Sequence, residues 1–270
     1  MAVGLEMGAL ELVTTAEDEQ FFWISLGRPE AHHALDAGML RDLHAALDEA
    51  DRSPRGTMLG LRADGAHFCA GMDLVAAVGT GSAVPAGGAP HPYWALLERL
   101  ASMDRVSVAL VDGKAIGGGV GLAAACDIVL ATPNARFRLT EILFGLMPAM
   151  VLPFLARRTG LARAFRLALT ADELDPRAAL DCGLADLLAT PSTGDAGGDD
   201  RDALVRGLRQ RLRRLDRRAV AALKAYRNEV SPLSSLGPLA ANALGKRLDD
   251  PSVQANLRRF TEEGVLPWQK

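Results

Sequence analysis

Residues 113–121 carry five glycines in nine positions, Gly113-Lys114-Ala115-Ile116-Gly117-Gly118-Gly119-Val120-Gly121, with a short apolar run on either side. Val106–Val111 and residues 127–131 have the length and composition of buried strands, and Leu122 to Ala125 is a small-residue helix between them. Strand, helix and strand in this order predict a βαβ-type unit, and so a chain built around parallel pairing. The glycines are what that geometry needs at its tightest point. They tolerate positive φ and let the main chain approach a neighbour or a ligand closely.

A second glycine turn lies upstream, at Phe68-Cys69-Ala70-Gly71-Met72-Asp73-Leu74, fed by a short buried strand over 58–61. Further upstream, Phe21–Leu26 reads as a strand ended by Arg28-Pro29-Glu30, because proline removes a donor and constrains the residue before it. A helix follows. Asp36 caps it, Met39, Leu40, Leu43, Leu47 and Ala50 recur at helical spacing, and Ser53-Pro54 stops it. Residues 79–90, rich in Gly, Ala and Pro, read as a connection that serves as lid or entrance. After Pro153 helical patterning dominates, and the polar stretch 191–200 is a candidate boundary. The expected division is an α/β core over 1–200 and a helical region over 201–270 that packs and assembles subunits.

The 270 residues suffice for a large core without staples. Cys69, Cys126 and Cys182 are an odd, widely spaced set with no CxxC pattern, read as structural free thiols in a reducing compartment. A net charge of -3 and a pI near 6.0 argue against a nucleic-acid surface. No signal-peptide pattern and no long uncharged apolar stretch is present, so a cytoplasmic protein with no membrane partner is expected.

Each glycine turn can aim a backbone N–H at a carbonyl oxygen, and a lone carboxylate, Glu141, follows them. Two such donors and one acid–base group are what a thioester enolate requires. The segments 28–35, 68–74, 113–127, 140–145 and 180–186, in this order and spacing, resemble the crotonase, or enoyl-coenzyme-A hydratase/isomerase, superfamily over nearly the whole length. That resemblance implies an α/β spiral of repeated ββα units with a helical C-terminal region, assembled as a homotrimer or hexamer. It implies no metal and no cofactor beyond the coenzyme A or phosphopantetheine that carries the acyl group.

Carried over by residue, the resemblance makes the N–H groups of Met72 and Gly118 the oxyanion-hole donors and Glu141 the catalytic carboxylate. Phe68, Ala70, Gly71, Asp73, Leu74, His33, Gly117 and Gly121 would line the substrate path. The family's hydratases use two glutamates, and here Gly121 stands where the first would be. The run 145–153, Gly145-Leu146-Met147-Pro148-Ala149-Met150-Val151-Leu152-Pro153, also departs from the family's usual glycine-rich sequence. These departures, with the ending 260–268, resemble the dehydratases of polyketide β-branching, which remove water from a carrier-bound 3-hydroxy-3-methylglutaryl thioester. A single-glutamate enoyl-thioester isomerase and a general enoyl-CoA hydratase are the alternatives.

Tyr93 follows the 79–90 connection and is a candidate hydroxyl donor to the leaving group or a distal carboxylate, or else part of an amphipathic helix whose Trp94, Leu97 and Leu100 pack inward. His32 and His33 read as local packing residues. Residues 119–124 match G-x-G-x-x-A, a dinucleotide fingerprint, but seven residues separate them from the preceding strand and no ribose-binding acid follows the next one. A non-enzymatic scaffold is disfavoured by the retained Glu141. Arg201, Arg206, Arg209, Arg211, Arg213, Arg214, Arg217 and Arg218 fall on one candidate helix with Leu204, Leu208, Leu212 and Leu215 as its apolar stripe. That basic face reads either as a solvated surface paired with acids across a subunit contact or as a docking surface for an acidic acyl carrier protein.

Overall fold

A computed structural model describes residues 10–73, 90–189 and 200–267. Leu74, most of the 79–90 connection, most of the 191–200 break and Trp268 lie outside the described residues. The main sheet has the strand order β1 (Val13–Glu17), β2 (Phe21–Leu26), β3 (Met58–Ala63), β5 (Val106–Val111), β7 (Ile128–Ala131) and β9 (Leu187–Leu188). Only the first pair is antiparallel. A smaller parallel sheet holds β4 (His67–Cys69), β6 (Lys114–Ile116) and β8 (Arg136–Arg138).

These strands belong to a repeating unit. One strand enters the main sheet, the next joins the small sheet, and a helix returns the chain: β3, β4 and α2 (Pro92–Ser102), then β5, β6 and α3 (Gly118–Ala125). The result is the ββα spiral expected from the sequence. Because β6 stands between β5 and α3, the 119–124 glycines do not form the direct strand–turn–helix crossover of a dinucleotide fold.

Strand alternation sorts the sheet's two faces. Phe22, Ile24, Leu26, Leu59, Leu61, Ala109 and Val111 pack against α1 (Ala37–Arg52), α2 and α3, while Phe21, Trp23, Met58, Val106, Val108 and Leu110 face the other way. That second face is covered by Val205 and Leu208 of α7 (Asp200–Leu212) and Val220 of α8 (Arg217–Val230). Buried Lys224 fastens α8 by donating to the Leu100 and Arg105 carbonyls at 3.3 and 2.9 Å and to Asp127 at 2.6 Å. A buried ammonium is tolerated only when paired in this way.

The arginine-rich segment differs from the single helix expected. Helix α7 ends at Leu212, Arg213 and Arg214 sit in a turn, and Asp216 caps α8 by accepting the Ala219 N–H, so Arg217 and Arg218 belong to a second helix. Several of these arginines are engaged: Arg201 pairs with Asp64 at 3.1 Å, Arg209 with Asp18, and Arg217 with Asp104. Helices α7 and α8, which carry most of them, cover the face of the main sheet formed by Phe21, Trp23, Val106 and Val108.

The remaining helices are α4 (Leu152–Thr159), α5 (Leu161–Thr170), α6 (Pro176–Asp181), α9 (Gly237–Leu248) and α10 (Pro251–Glu263). Helix α10 packs Val253 and Leu257 against Phe144 and Leu146, Arg247 donates to the Gly145 carbonyl at 2.8 Å, and Asn256 donates to the Phe144 carbonyl at 3.4 Å. The C-terminal helices thereby brace the turn that carries Glu141. No helix among the described residues is long and apolar enough to cross a membrane.

Candidate active site

Gly71 adopts φ +86 and Gly117 φ +51, conformations that side chains rarely adopt, and the two turns meet. A β-carbon on Gly71 would stand 2.7 Å from the Ile116 carbonyl and 3.0 Å from the Gly118 nitrogen, so only glycine permits this approach. On one side, Leu35 bridges the turn by donating to the Gly71 carbonyl and accepting from Asp73, which leaves the Met72 N–H unused. On the other, Gly118 is the first residue of α3, where a helix N–H has no intrahelical acceptor. Neither N–H donates to a described residue. The helix dipole adds to the attraction for an anionic oxygen at Gly118.

Glu141 begins a short 3-10 turn, Glu141–Phe144, closed by Gly145. The residue is half-buried, but Oε2 is shut off from solvent and has no hydrogen-bond partner among the described residues. The carboxylate lies over Gly117, where a β-carbon would come 3.1 Å from Oε1. Burial raises the Glu141 carboxyl to about 7, partly offset by hydrogen bonds from the backbone of Glu141 and Thr140. An acid poised there exchanges protons near neutrality.

Tyr93 is buried on α2, and its hydroxyl donates to the Gly118 carbonyl at 2.6 Å. Burial, aided by the neighbouring Cys69 and Glu141, pushes the phenol well above its ordinary value, so it stays protonated. A β-carbon on Gly121 would fall 2.0 Å from the Tyr93 oxygen and 3.0 Å from Val151 Cγ2. The phenol therefore occupies the space that the first glutamate of a two-glutamate site would need. In this structure the Tyr93 hydroxyl both lines the pocket and, through its bond to the Gly118 carbonyl, holds the first turn of α3.

Ala70, Gly71, Met72, Tyr93, Gly117, Gly118 and Glu141 share one pocket with Thr140, Phe144 and the run 146–151. Phe68, His33, Asp73 and Gly121 do not line it. Phe68 is core. His33 is buried, its Nδ1 accepting the Arg28 N–H and its Nε2 bonded to the Asp64 carbonyl. Asp73 accepts from Arg28 at 3.2 Å. Gly121 lies under Tyr93. The Cys69 thiol is buried and pushed up to about 12, in keeping with a structural role. Three lining residues carried no sequence signal: His91, and Leu244 and Leu248 of α9. Among the described residues no group of three or more His, Cys, Asp or Glu is placed to hold a metal.

A family model described as enoyl-CoA hydratase/isomerase matches residues 17–268. The chain belongs to that family. The bacillaene synthase dehydratase PksH of Bacillus subtilis is 30% identical, with 92% of each chain aligned. The enoyl-CoA hydratase AFT6-1 of Alternaria alternata is 33% identical over 62% of this chain and 54% of its own. Among solved structures, PksH of Bacillus subtilis superposes with a TM-score of 0.84 at 28% identity, covering 95% of this chain and 99% of its own. AtuE of Pseudomonas aeruginosa gives a TM-score of 0.71 at 31% identity, covering 94% and 97%. Within the enoyl-CoA hydratase/isomerase family, the paired N–H groups and single carboxylate described here suit abstraction of a proton next to a thioester. Met72→Leu keeps the backbone N–H, and kcat/KM within about threefold of the parent in a steady-state thioester assay is the outcome that a backbone-donor role for Met72 requires.

Proposed function

We propose that the protein is a dehydratase of a β-hydroxyacyl thioester, converting 3-hydroxy-3-methylglutaryl on an acyl carrier protein to the 3-methylglutaconyl thioester in polyketide or secondary-metabolite biosynthesis. The observation that carries this reading is the site's single carboxylate: Glu141 faces the pocket beside the Met72 and Gly118 N–H groups, and Tyr93 fills the place of a second. The thioester oxygen accepts from the two N–H groups. Glu141 removes a proton from C2, the electrons of that bond form the C2–C3 double bond, and the C3–O bond breaks. The same carboxyl then gives its proton to the departing hydroxide, so the products are an enoyl thioester and water. The reaction balances without a metal or redox group, and pantetheine arrives with the substrate. A relative named as a bacillaene synthase dehydratase supports dehydration as the direction.

Exposed Leu161, Phe165 and Leu169 recur along α5, and Leu223, Tyr226 and Val230 along α8. These apolar stripes support assembly into a homotrimer or hexamer. Mass spectrometry of the carrier-bound 3-hydroxy-3-methylglutaryl thioester after incubation is the test of function. Loss of one water is expected. No loss, together with a double-bond shift at constant mass in a 3-enoyl thioester, would make the protein an isomerase instead.

A further inference from the structure

His91 precedes α2 and caps it: its Nδ1 accepts the Tyr93 N–H at 3.1 Å. The bond fixes the tautomer, because a neutral imidazole whose Nδ1 accepts carries its proton on Nε2. The residue is 6% exposed, it lines the pocket, and no described residue bonds to Nε2. Burial lowers the His91 imidazolium from its ordinary value, which favours the neutral ring that the α2 cap requires. The result is an oriented N–H donor with no acceptor among the described residues, in a wall otherwise dominated by Phe144, Leu146, Met147, Met150, Leu244 and Leu248.

The other polar groups in the wall have duties. Glu141 is the base, and the Tyr93 proton goes to the Gly118 carbonyl. Thr140 is a neutral hydroxyl. No lysine or arginine lines the pocket among the described residues. An acyl chain that ends in a second carboxylate would be buried here at a large desolvation cost unless a hydrogen-bond donor met it. His91 alone among the described lining residues carries a side-chain N–H, on Nε2, and a charge-assisted bond from it to a carboxylate leaves Nδ1 free to cap α2.

We propose that His91 is the specificity-determining residue for the far end of the acyl chain, its Nε2 receiving a terminal carboxylate and so selecting dicarboxylic half-thioesters over neutral ones. The proposal rests on the thioester reading of the pocket, and its test needs no turnover. Glutaryl-pantetheine and its terminal amide, glutaramoyl-pantetheine, match in shape, differ in charge and lack a β-hydroxyl to eliminate. Calorimetric titration of the parent should show the acid binding about tenfold or more tightly than the amide, as a hydrogen bond to a charged partner would give. His91→Asn keeps an oxygen to cap α2 but withdraws the pocket-facing N–H. It should abolish that preference, weakening the acid about tenfold while the amide changes by less than about twofold. An equal loss for both ligands would assign His91 to capping alone. No preference in the parent, or an undiminished one in the variant, would equally overturn the proposal. A failure of the dehydration assay with this preference intact would overturn the reaction and leave the carboxylate site standing.

Discussion

Glu141→Gln is expected to lower kcat by about a thousandfold while leaving the fold and thioester binding in place, because the amide matches the carboxyl in shape but cannot accept the C2 proton. Stability offers a second readout of the same group. Its carboxyl is raised from 4.5 to about 7 by burial, so the folded protein holds that proton more tightly than the unfolded chain does. The sign follows. Glu141 costs nothing below about pH 4.5, and stability falls as the pH rises toward the folded value, by about 3 kcal/mol in all. Glu141→Gln should remove that decline, which chemical denaturation at a series of pH values measures. A variant within about tenfold of parental turnover would exclude Glu141 as the base.

Gly121→Glu is expected to destroy native activity and to lower the melting temperature, in contrast to the gain of hydration that simple restoration of a missing glutamate would suggest. The new β-carbon would have to displace the Tyr93 hydroxyl, 2.0 Å away, and Val151 Cγ2 at 3.0 Å, and the carboxylate would add a second buried charge near Glu141. Loss of the Tyr93 bond to Gly118 would also loosen the first turn of α3, which presents the proposed oxyanion donor. A fall in kcat/KM of about a hundredfold or more is expected for the single variant. Adding Tyr93→Ala, which clears the space, should recover much of the lost melting temperature. A single variant as stable as the parent would show that the phenol does not occupy this position.

Much of this architecture was legible because it is written in local pattern. The apolar run Val106–Val111 is a strand, Asp36 caps α1 by accepting from Met39 at 2.7 Å, and the 113–121 glycines form the turn and first residues of α3. The resemblance to the enoyl-CoA hydratase/isomerase family, carried by the order and spacing of the glycine turns and Glu141, brings them to one pocket. What escaped is set by side-chain direction and long-range packing. Phe68 shares a motif with Gly71 but points into the core, and Asp73 turns to Arg28. A glycine at 121 reads as a loss until the phenol from α2, 28 positions upstream in chain numbering, is seen above it. His91 is one cap residue with no period to announce it. Leu244 and Leu248 reach the pocket only because α9 and α10 fold back on the Glu141 turn. The arginine run continues a helical pattern straight through residues 213–216, and only the Asp216 cap reveals that the helix restarts there.

The central claim is that one buried carboxylate works on the carbon beside a thioester held by two backbone donors. Exchange of the C2 protons of a saturated acyl-pantetheine thioester in D2O, followed by NMR, tests it without requiring that the leaving group or natural carrier be known. The parent protein should catalyse deuterium uptake at C2, and Glu141→Gln should slow it by about a hundredfold or more at equal ligand occupancy. Uptake at the same rate in both proteins would contradict the claim and place the base elsewhere in the pocket.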